Sequence, residues 1–174
     1  NGQITVNFGT KIENLIGSNF DDHLVGNELN NQLTGNAGND ILDGSTGIDT
    51  AIYSDSFRDF TLTKGTDSWA ITTSDESDSL VNIERLQFTN TNVALDLDGN
   101  AGKTAKLLGA ILGAEGVSNK VYVGAGLNFL DGGMTYEELM QVALDVVLGA
   151  NPSSSSVVYL LWANIVGPPT AADN

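Results

Sequence analysis

Glycine recurs every nine residues near the N-terminus, at Gly17, Gly26, Gly35 and Gly44. Five positions after each glycine stands Asp22, Asn31, Asp40 or Asp49. Two residues further on comes Leu24, Leu33, Leu42 or Ala51, and Leu15 carries this apolar column back through Gly9-Thr10-Lys11-Ile12-Glu13-Asn14-Leu15. Three columns in one register over four units mark an internal repeat, and a repeat restricts the fold before any local propensity is considered.

Each unit has a glycine- and polar-rich half and a short half centred on its apolar residue. Gly and Asn tolerate positive φ, so the first half is turn chemistry. The second half is too short for a helix and long enough for a stub of strand. Such a chain winds into a flattened parallel coil with two units per full turn, the apolar column inside and successive turns on opposite edges. Turns two units apart then lie about 4.8 Å from each other. Asp22 is expected above Asp40 on one edge, and Asn31 above Asp49 on the other. Two carboxylates that close repel by roughly 3 kcal/mol at an effective dielectric near 20, and a divalent cation reverses the sign. Ca²⁺ takes oxygen ligands at about 2.3–2.6 Å and fits the gap, whereas Mg²⁺ wants shorter bonds and keeps its waters. The metal-free alternative is a ladder of Asx turns, each acid bonding its own backbone, which leaves the fixed offset unexplained. Asp21, Asn39 and Asp43 fall outside the offset and read as solvated turn residues.

The units at 35–43 and 44–49 resemble the calcium-binding nonapeptide G-G-x-G-x-D-x-U-x of repeats-in-toxin proteins. The first two units depart from it: Ser18 and Asn27 replace the second glycine, Phe20 and Leu29 the third, and Asn31 the aspartate. The resemblance implies a ligand set of backbone carbonyls and acids shared by two turns. One site would comprise Ser18, Phe20 and Asp22 with Gly35, Ala37 and Asp40. The other would comprise Asn27, Leu29 and Asn31 with Gly44, Thr46 and Asp49, Asn31 making it the less charged. The family also implies type I secretion with an uncleaved C-terminal signal.

Of 174 residues, 7 are Lys or Arg and 22 are Asp or Glu, a net charge of −15. That balance argues against nucleic acid and anionic membrane as partners. Cysteine is absent, which removes disulfides, thiol catalysis and thiolate metal sites together. Calcium is left as the staple of an extracellular protein, with folding coupled to metal binding and so to leaving the low-calcium cytosol. Asn1-Gly2-Gln3-Ile4 has neither the basic nor the apolar region of a signal peptide, and no apolar run approaches membrane-spanning length. A start in mid-pattern suggests a fragment of something larger.

After Ala51-Ile52-Tyr53 the period changes to two: Phe60 and Leu62, Trp69 and Ile71, Leu86 and Phe88, then Val93, Leu95 and Leu97. This predicts four short, mostly antiparallel strands, with a hairpin turn at Lys64-Gly65-Thr66-Asp67 and a polar loop over 74–79. They would cap the open end of the coil. The stretch 81–88 resembles a segment that follows such repeats in secreted bacterial proteins. From Asp98 the chain turns helical. Leu107, Leu108, Ile111 and Leu112 share a face, and a second helix is expected over 119–130. Thr135 and Glu138 form a capping box opening a third helix with Leu139, Ala143, Val146 and Val147 inward. Ser153 to Ser156 precede a fourth, with the stripe Val157, Val158, Leu161 and Ile165. Gly113, Gly132, Gly149 and Gly167 mark helix ends. This part resembles a helical domain of unknown function found behind repeats-in-toxin arrays, most clearly at 159–167. Asp96-Leu97-Asp98-Gly99-Asn100 reads as a helix start with Asp98 or Asn100 as N-cap, a further calcium site being the alternative.

The expected fold is therefore mixed β and α: a parallel β-roll over 1–55, an antiparallel β cap over 56–97, a small helical bundle over 98–168 and a tail over 169–174. His23 is the only histidine and is expected to point outward from the coil. That excludes a two-histidine zinc motif, and no G-x-S-x-G occurs, so no catalytic site is expected. The expected function is a calcium-binding structural and secretion module of an extracellular bacterial protein. Its partners would be calcium ions, type I secretion machinery and possible copies of itself, with neither nucleic acid nor membrane insertion. The alternatives are a self-assembling subunit of an extracellular fibre or surface layer, and the non-catalytic tail of a secreted hydrolase.

Overall fold

A computed structural model of the chain describes residues 2–5, 9 and 12–166. Thr10, Lys11, Gly167 and the tail expected over 169–174 lie outside them. Two compact units form, Asn1–Asp96 and Leu97–Asn174.

In the first unit the apolar column builds two facing sheets. Strands β1 (Gly2–Thr5), β3 (Asp22–Val25) and β5 (Ile41–Asp43) stack in parallel in one, and β2 (Asn14–Ile16), β4 (Gln32–Thr34) and β6 (Thr50–Ile52) in the other. Leu24 sits in register with Leu42, and Leu15 and Ala51 flank Leu33. All five are 3% exposed or less and share one core. This is a parallel β-roll, wound as the nine-residue period requires.

The chain beyond the repeats departs from the expectation of four strands. Five form: β7 (Thr61–Lys64), β8 (Trp69–Thr72), β9 (Ser77–Val81), β10 (Arg85–Gln87) and β11 (Asn92–Ala94). β7 and β8 make the expected hairpin, with Lys64 Nζ 5.6 Å from the centre of the Trp69 ring. β9 pairs antiparallel with β8 and parallel with β5, while β10 pairs parallel with β6 and antiparallel with β11. The cap thus adds one rung to each face of the roll before closing it. Leu80 lies over Leu42 and Leu86 over Ala51, both buried, so the core column continues where the sequence period has ended. The expected loop over 74–79 is shorter, because Ser77 to Ser79 belong to β9. Tyr53, Phe57, Phe60 and Phe88 pack on one another at centroid distances of 5.0–5.4 Å against this end of the core.

The second unit holds α1 (Asn100–Ser118), α2 (Lys120–Asp131), α3 (Tyr136–Leu148) and α4 (Ser154–Ile165). Leu107, Leu108, Ile111, Leu130, Leu139 and Leu144 form its core. Asn119 caps α2, Thr135 and Glu138 close the capping box of α3, and Ser153 caps α4. The N-cap of α1 is Gly99, with no side-chain bond, so neither Asp98 nor Asn100 takes that role. Gly113, with a φ of 70°, kinks α1 into two helical stretches, so it stands at a helix end as expected. Asn164 on α4 donates from Nδ2 to the carbonyls of Ala110 (3.1 Å) and Ile111 (2.7 Å), satisfying groups that the break frees.

That polar contact turns α4 away from the stripe read from its apolar residues. Val157 and Leu160 pack on the core, while Val158 and Ile165 are 65% and 70% exposed. On α3, Leu139 and Leu144 are buried, but Val146 is 81% exposed. Val146 and Val147 line an open apolar groove of about 270 Å³ with Leu107, Leu112 and Phe129 instead of meeting a packed neighbour.

Leu33 is fully buried between Leu15 and Ala51. Leu33→Ala should therefore destabilise the roll by about 2–5 kcal/mol, read as a fall in the midpoint of chemical denaturation in calcium, with the helical signal retained.

Candidate metal centre

The edges of the roll carry a ladder of side chain to backbone bonds. Asp40 Oδ1 accepts from the backbone N–H of Asp22 at 2.8 Å, and Asp49 Oδ1 from that of Asn31 at 2.6 Å, each 18 residues apart. Asp22 Oδ1 accepts in turn from Gly2 N–H at 3.0 Å. The expected stacking of Asp22 with Asp40 and of Asn31 with Asp49 is thus present, and all four side chains are buried.

The second oxygens differ between the early and late turns. Asp22 Oδ2 accepts from Ser18 N–H (2.5 Å) and Ser18 Oγ (2.8 Å), and Asn31 Oδ1 accepts from Asn27 N–H (2.8 Å). These turns close on their own acid or amide, in the manner of an Asx turn. Asn36 and Ser45 hold the same positions later with φ of 72° and 73°, and the Ser45 N–H goes to Asp43 Oδ1. Asp40 Oδ2 and Asp49 Oδ2 are left buried without a hydrogen-bond partner. A buried carboxylate oxygen in that state carries a desolvation penalty, which a bound cation would remove.

Other oxygens converge on the same spaces. A Cβ on Gly17 would stand 2.8 Å from both Asp22 Oδ2 and Gly35 O, and one on Gly26 would stand 2.4 Å from Asn31 Oδ1 and 2.7 Å from Gly44 O. Only glycine leaves this room between turns. The carbonyls of Phe20 and Leu29 lie against Gly38 and Gly47 of the turns above, 3.0 and 2.9 Å from where a Cβ would be. Asn27 O accepts from Thr46 N–H at 3.4 Å, and Ala37 lines a cavity with Asn19. Ser18 donates to Asp22 Oδ2 from both its N–H and its hydroxyl. The set is all oxygen, from two acids or an acid and an amide plus carbonyls, and it suits a hard cation of calcium's size. The described residues contain no cluster of three or more His, Cys, Asp or Glu side chains arranged for a metal.

Residues 16–51 match the family model of the RTX calcium-binding nonapeptide repeat, in four copies. This segment is an RTX repeat array. Calcium is the ion that the RTX nonapeptide binds. Among solved structures, the chain is similar to the extracellular lipase LipA from Serratia marcescens, at 16% identity and a TM-score of 0.30. The alignment covers 52% of this chain and 18% of the lipase, so the chain spans only a small part of that protein's length. A comparison with curated proteins gives no match. The fold assignment rests on strand register rather than on the lipase likeness.

Electrostatics in the RTX array follow burial. Ser18 N–H and then its hydroxyl hold the Asp22 carboxyl below its ordinary range. Desolvation raises Asp40, and it pushes Asp49 up to about 7. Two acids that sequence reading missed behave the same way. Asp78 Oδ1 accepts from Asp40 N–H at 2.9 Å and Glu84 Oε2 from Asp49 N–H at 2.8 Å, so each takes the place of the next acid in its ladder. Burial pushes Asp78 up to about 6 and raises Glu84. The Asp-x-Leu of Asp78-Ser79-Leu80, matching Asp40-Ile41-Leu42, was the available signal. Asp96 pairs with Arg85 at 2.5 Å, Asn100 donates to Asp131 at 2.9 Å, and Asp98 is exposed. His23 is half-buried on β3 between the inward Asp22 and Leu24, on the outward-facing alternation.

Acids with raised folded pKa values bind more protons folded than unfolded, so the stability they give is present at low pH and lost as pH rises through the folded values. For Asp78 and Asp49 that loss runs through about 6 and about 7. The metal-free protein should melt at a higher temperature near pH 5 than near pH 8. In saturating calcium the trend should reverse, because acidification competes for the ligands. Differential scanning calorimetry in EDTA and in calcium checks both signs.

Proposed function

We propose that this chain is a calcium-loaded structural and export module of a secreted bacterial protein. It stays open where calcium is scarce and folds when it reaches an extracellular medium rich in the ion. The observation that carries the reading is the pair of buried, unpartnered oxygens on Asp40 and Asp49 inside the RTX array. Residues present at the two edges fit the ion: Ser18, Phe20, Asp22, Gly35, Ala37 and Asp40 would hold one, and Asn27, Leu29, Asn31, Gly44, Thr46 and Asp49 another. Bound calcium would supply compensating charge. The chain's own residues supply the register that brings the oxygens together.

A net charge of −15 supports the coupling of folding to calcium, since an uncompensated acidic chain resists compaction. Absence of cysteine leaves the metal as the cross-link suited to an oxidising exterior. Among the described residues, no helix is long and apolar enough to cross a membrane. Type I secretion is the export route we infer, by analogy with RTX proteins. We assign the module no catalytic step, its role being to stabilise a larger protein that carries any activity.

A calcium titration of the EDTA-stripped chain followed by circular dichroism tests the reading. The strand signal and melting temperature should rise together with calcium, and magnesium at equal concentration should do much less. A spectrum and melting curve that EGTA leaves unchanged would overturn it.

A second reading, self-association, is favoured by the apolar residues that the helical unit leaves exposed, among them Val121, Val146, Val158, Tyr159 and Ile165. Light scattering after size exclusion should then give a mass above 18.2 kDa, lowered by Val146→Asp. A monomeric mass over the micromolar range argues for the module acting singly.

A further inference from the structure

Helix α4 is apolar on two faces. Val157 and Leu160 pack on the core, and Asn164 bonds to α1, so these three mark the inner face. Val158, Trp162, Ile165 and Val166 recur at steps of four, three and one on another face, with Tyr159 beside them. All five of these are exposed. A helix apolar all round is ordinarily a buried helix, yet this one buries one face alone. No residue from Val146 to Val166 is charged.

The same unit holds the open groove of about 270 Å³. Leu107 and Leu108 of α1 line it from below, where they are buried. Tyr122 and Phe129 of α2, with Val142, Val146 and Val147 of α3, line it and are exposed. Their spacings of seven, four and five residues give each helix one face toward the gap. None of the residues lining the groove is charged.

Charge restricts what can cover these two surfaces. Asn1–Asp96 has 15 Asp or Glu against 4 Lys or Arg, and Leu97–Asn174 has 7 against 3. Two copies of so acidic a chain repel over most of their surface, and they meet without repulsion where both sides are uncharged. The outer face of α4 and the groove are such surfaces. An anionic membrane would be repelled, and α4 has no Lys or Arg to hold a headgroup. The area is sufficient as well. Five exposed side chains on α4 and five along the groove, at on the order of 100 Å² each, exceed the roughly 800 Å² that a stable interface takes from each partner.

We propose that the outer face of α4 docks into the α2–α3 groove of a second copy, which returns the contact to close a two-fold dimer. Each copy gives one helix and receives one. This inference rests on the self-association reading above and deepens it by naming the two surfaces that meet.

Sedimentation equilibrium of the full chain in saturating calcium separates the two. The wild type should have twice the mass of 18.2 kDa, and Val158→Asp should return it to the single mass with unchanged circular dichroism. A dimer that Val158→Asp leaves intact overturns the docking of α4 while self-association stands. A wild type that stays single, including one that floats with phosphatidylcholine vesicles, overturns both. Rising ionic strength should tighten the dimer, since it screens like charges and the interface has no ion pair to lose; a dimer that salt loosens overturns the proposal. The chain has no cysteine, so Val146→Cys and Val158→Cys give a measurement independent of the aspartate variant. Mixed, the two should be joined by a short bismaleimide several-fold more than either alone. Val158→Cys linking to itself as readily would place α4 against α4 and overturn the groove as its seat.

Discussion

Each acid along the edges of the roll uses one oxygen to hold the backbone N–H of the turn beneath it and presents the other to the space between turns. The first bond fixes register, because a shift of one residue would break every rung and turn the leucine column out of the core. The second oxygen carries the energetic cost of that arrangement. Ser18 and Asn27 relieve it in the early turns with their own N–H groups. Asn36 and Ser45 do not relieve it in the later ones, where Asp40 Oδ2 and Asp49 Oδ2 stay buried without a hydrogen-bond partner. Stability and metal affinity thus come from the same geometry.

Much of this was legible in the residues. Glycine, acid and leucine at fixed offsets give the coil, the facing sheets and the stacking of Asp22 with Asp40 and of Asn31 with Asp49. The capping box at Thr135 and Glu138 was equally plain, since both partners lie three residues apart. What escaped reading was held by contacts distant in sequence. Asp78 and Glu84 continue the ladders at offsets of 38 and 35 residues, not 18, and a period cannot announce a rung that arrives after an excursion.

The helical unit shows a different failure. Apolar spacing alone put Val158 and Ile165 inside, but the orientation of α4 follows Asn164, whose amide reaches the carbonyls freed at Gly113. A half-buried amide that meets two orphan acceptors outweighs the gain from turning a valine inward, because unpaired backbone carbonyls are costly to bury. The glycine at the kink of α1 and the asparagine on α4 form one device. Neither residue signals it alone.

In sequence the hairpin of β7 and β8 falls between the stacked rungs β5 and β9, lengthening the path from Asp40 to Asp78 to 38 residues where a plain coil would need 18. Roughly doubling that loop adds only about 0.6 kcal/mol of closure entropy, far less than one buried leucine returns. Turns of this coil are accordingly cheap places to splice foreign sequence. The winding resumes afterwards wherever an Asp-x-Leu is available to catch the thread.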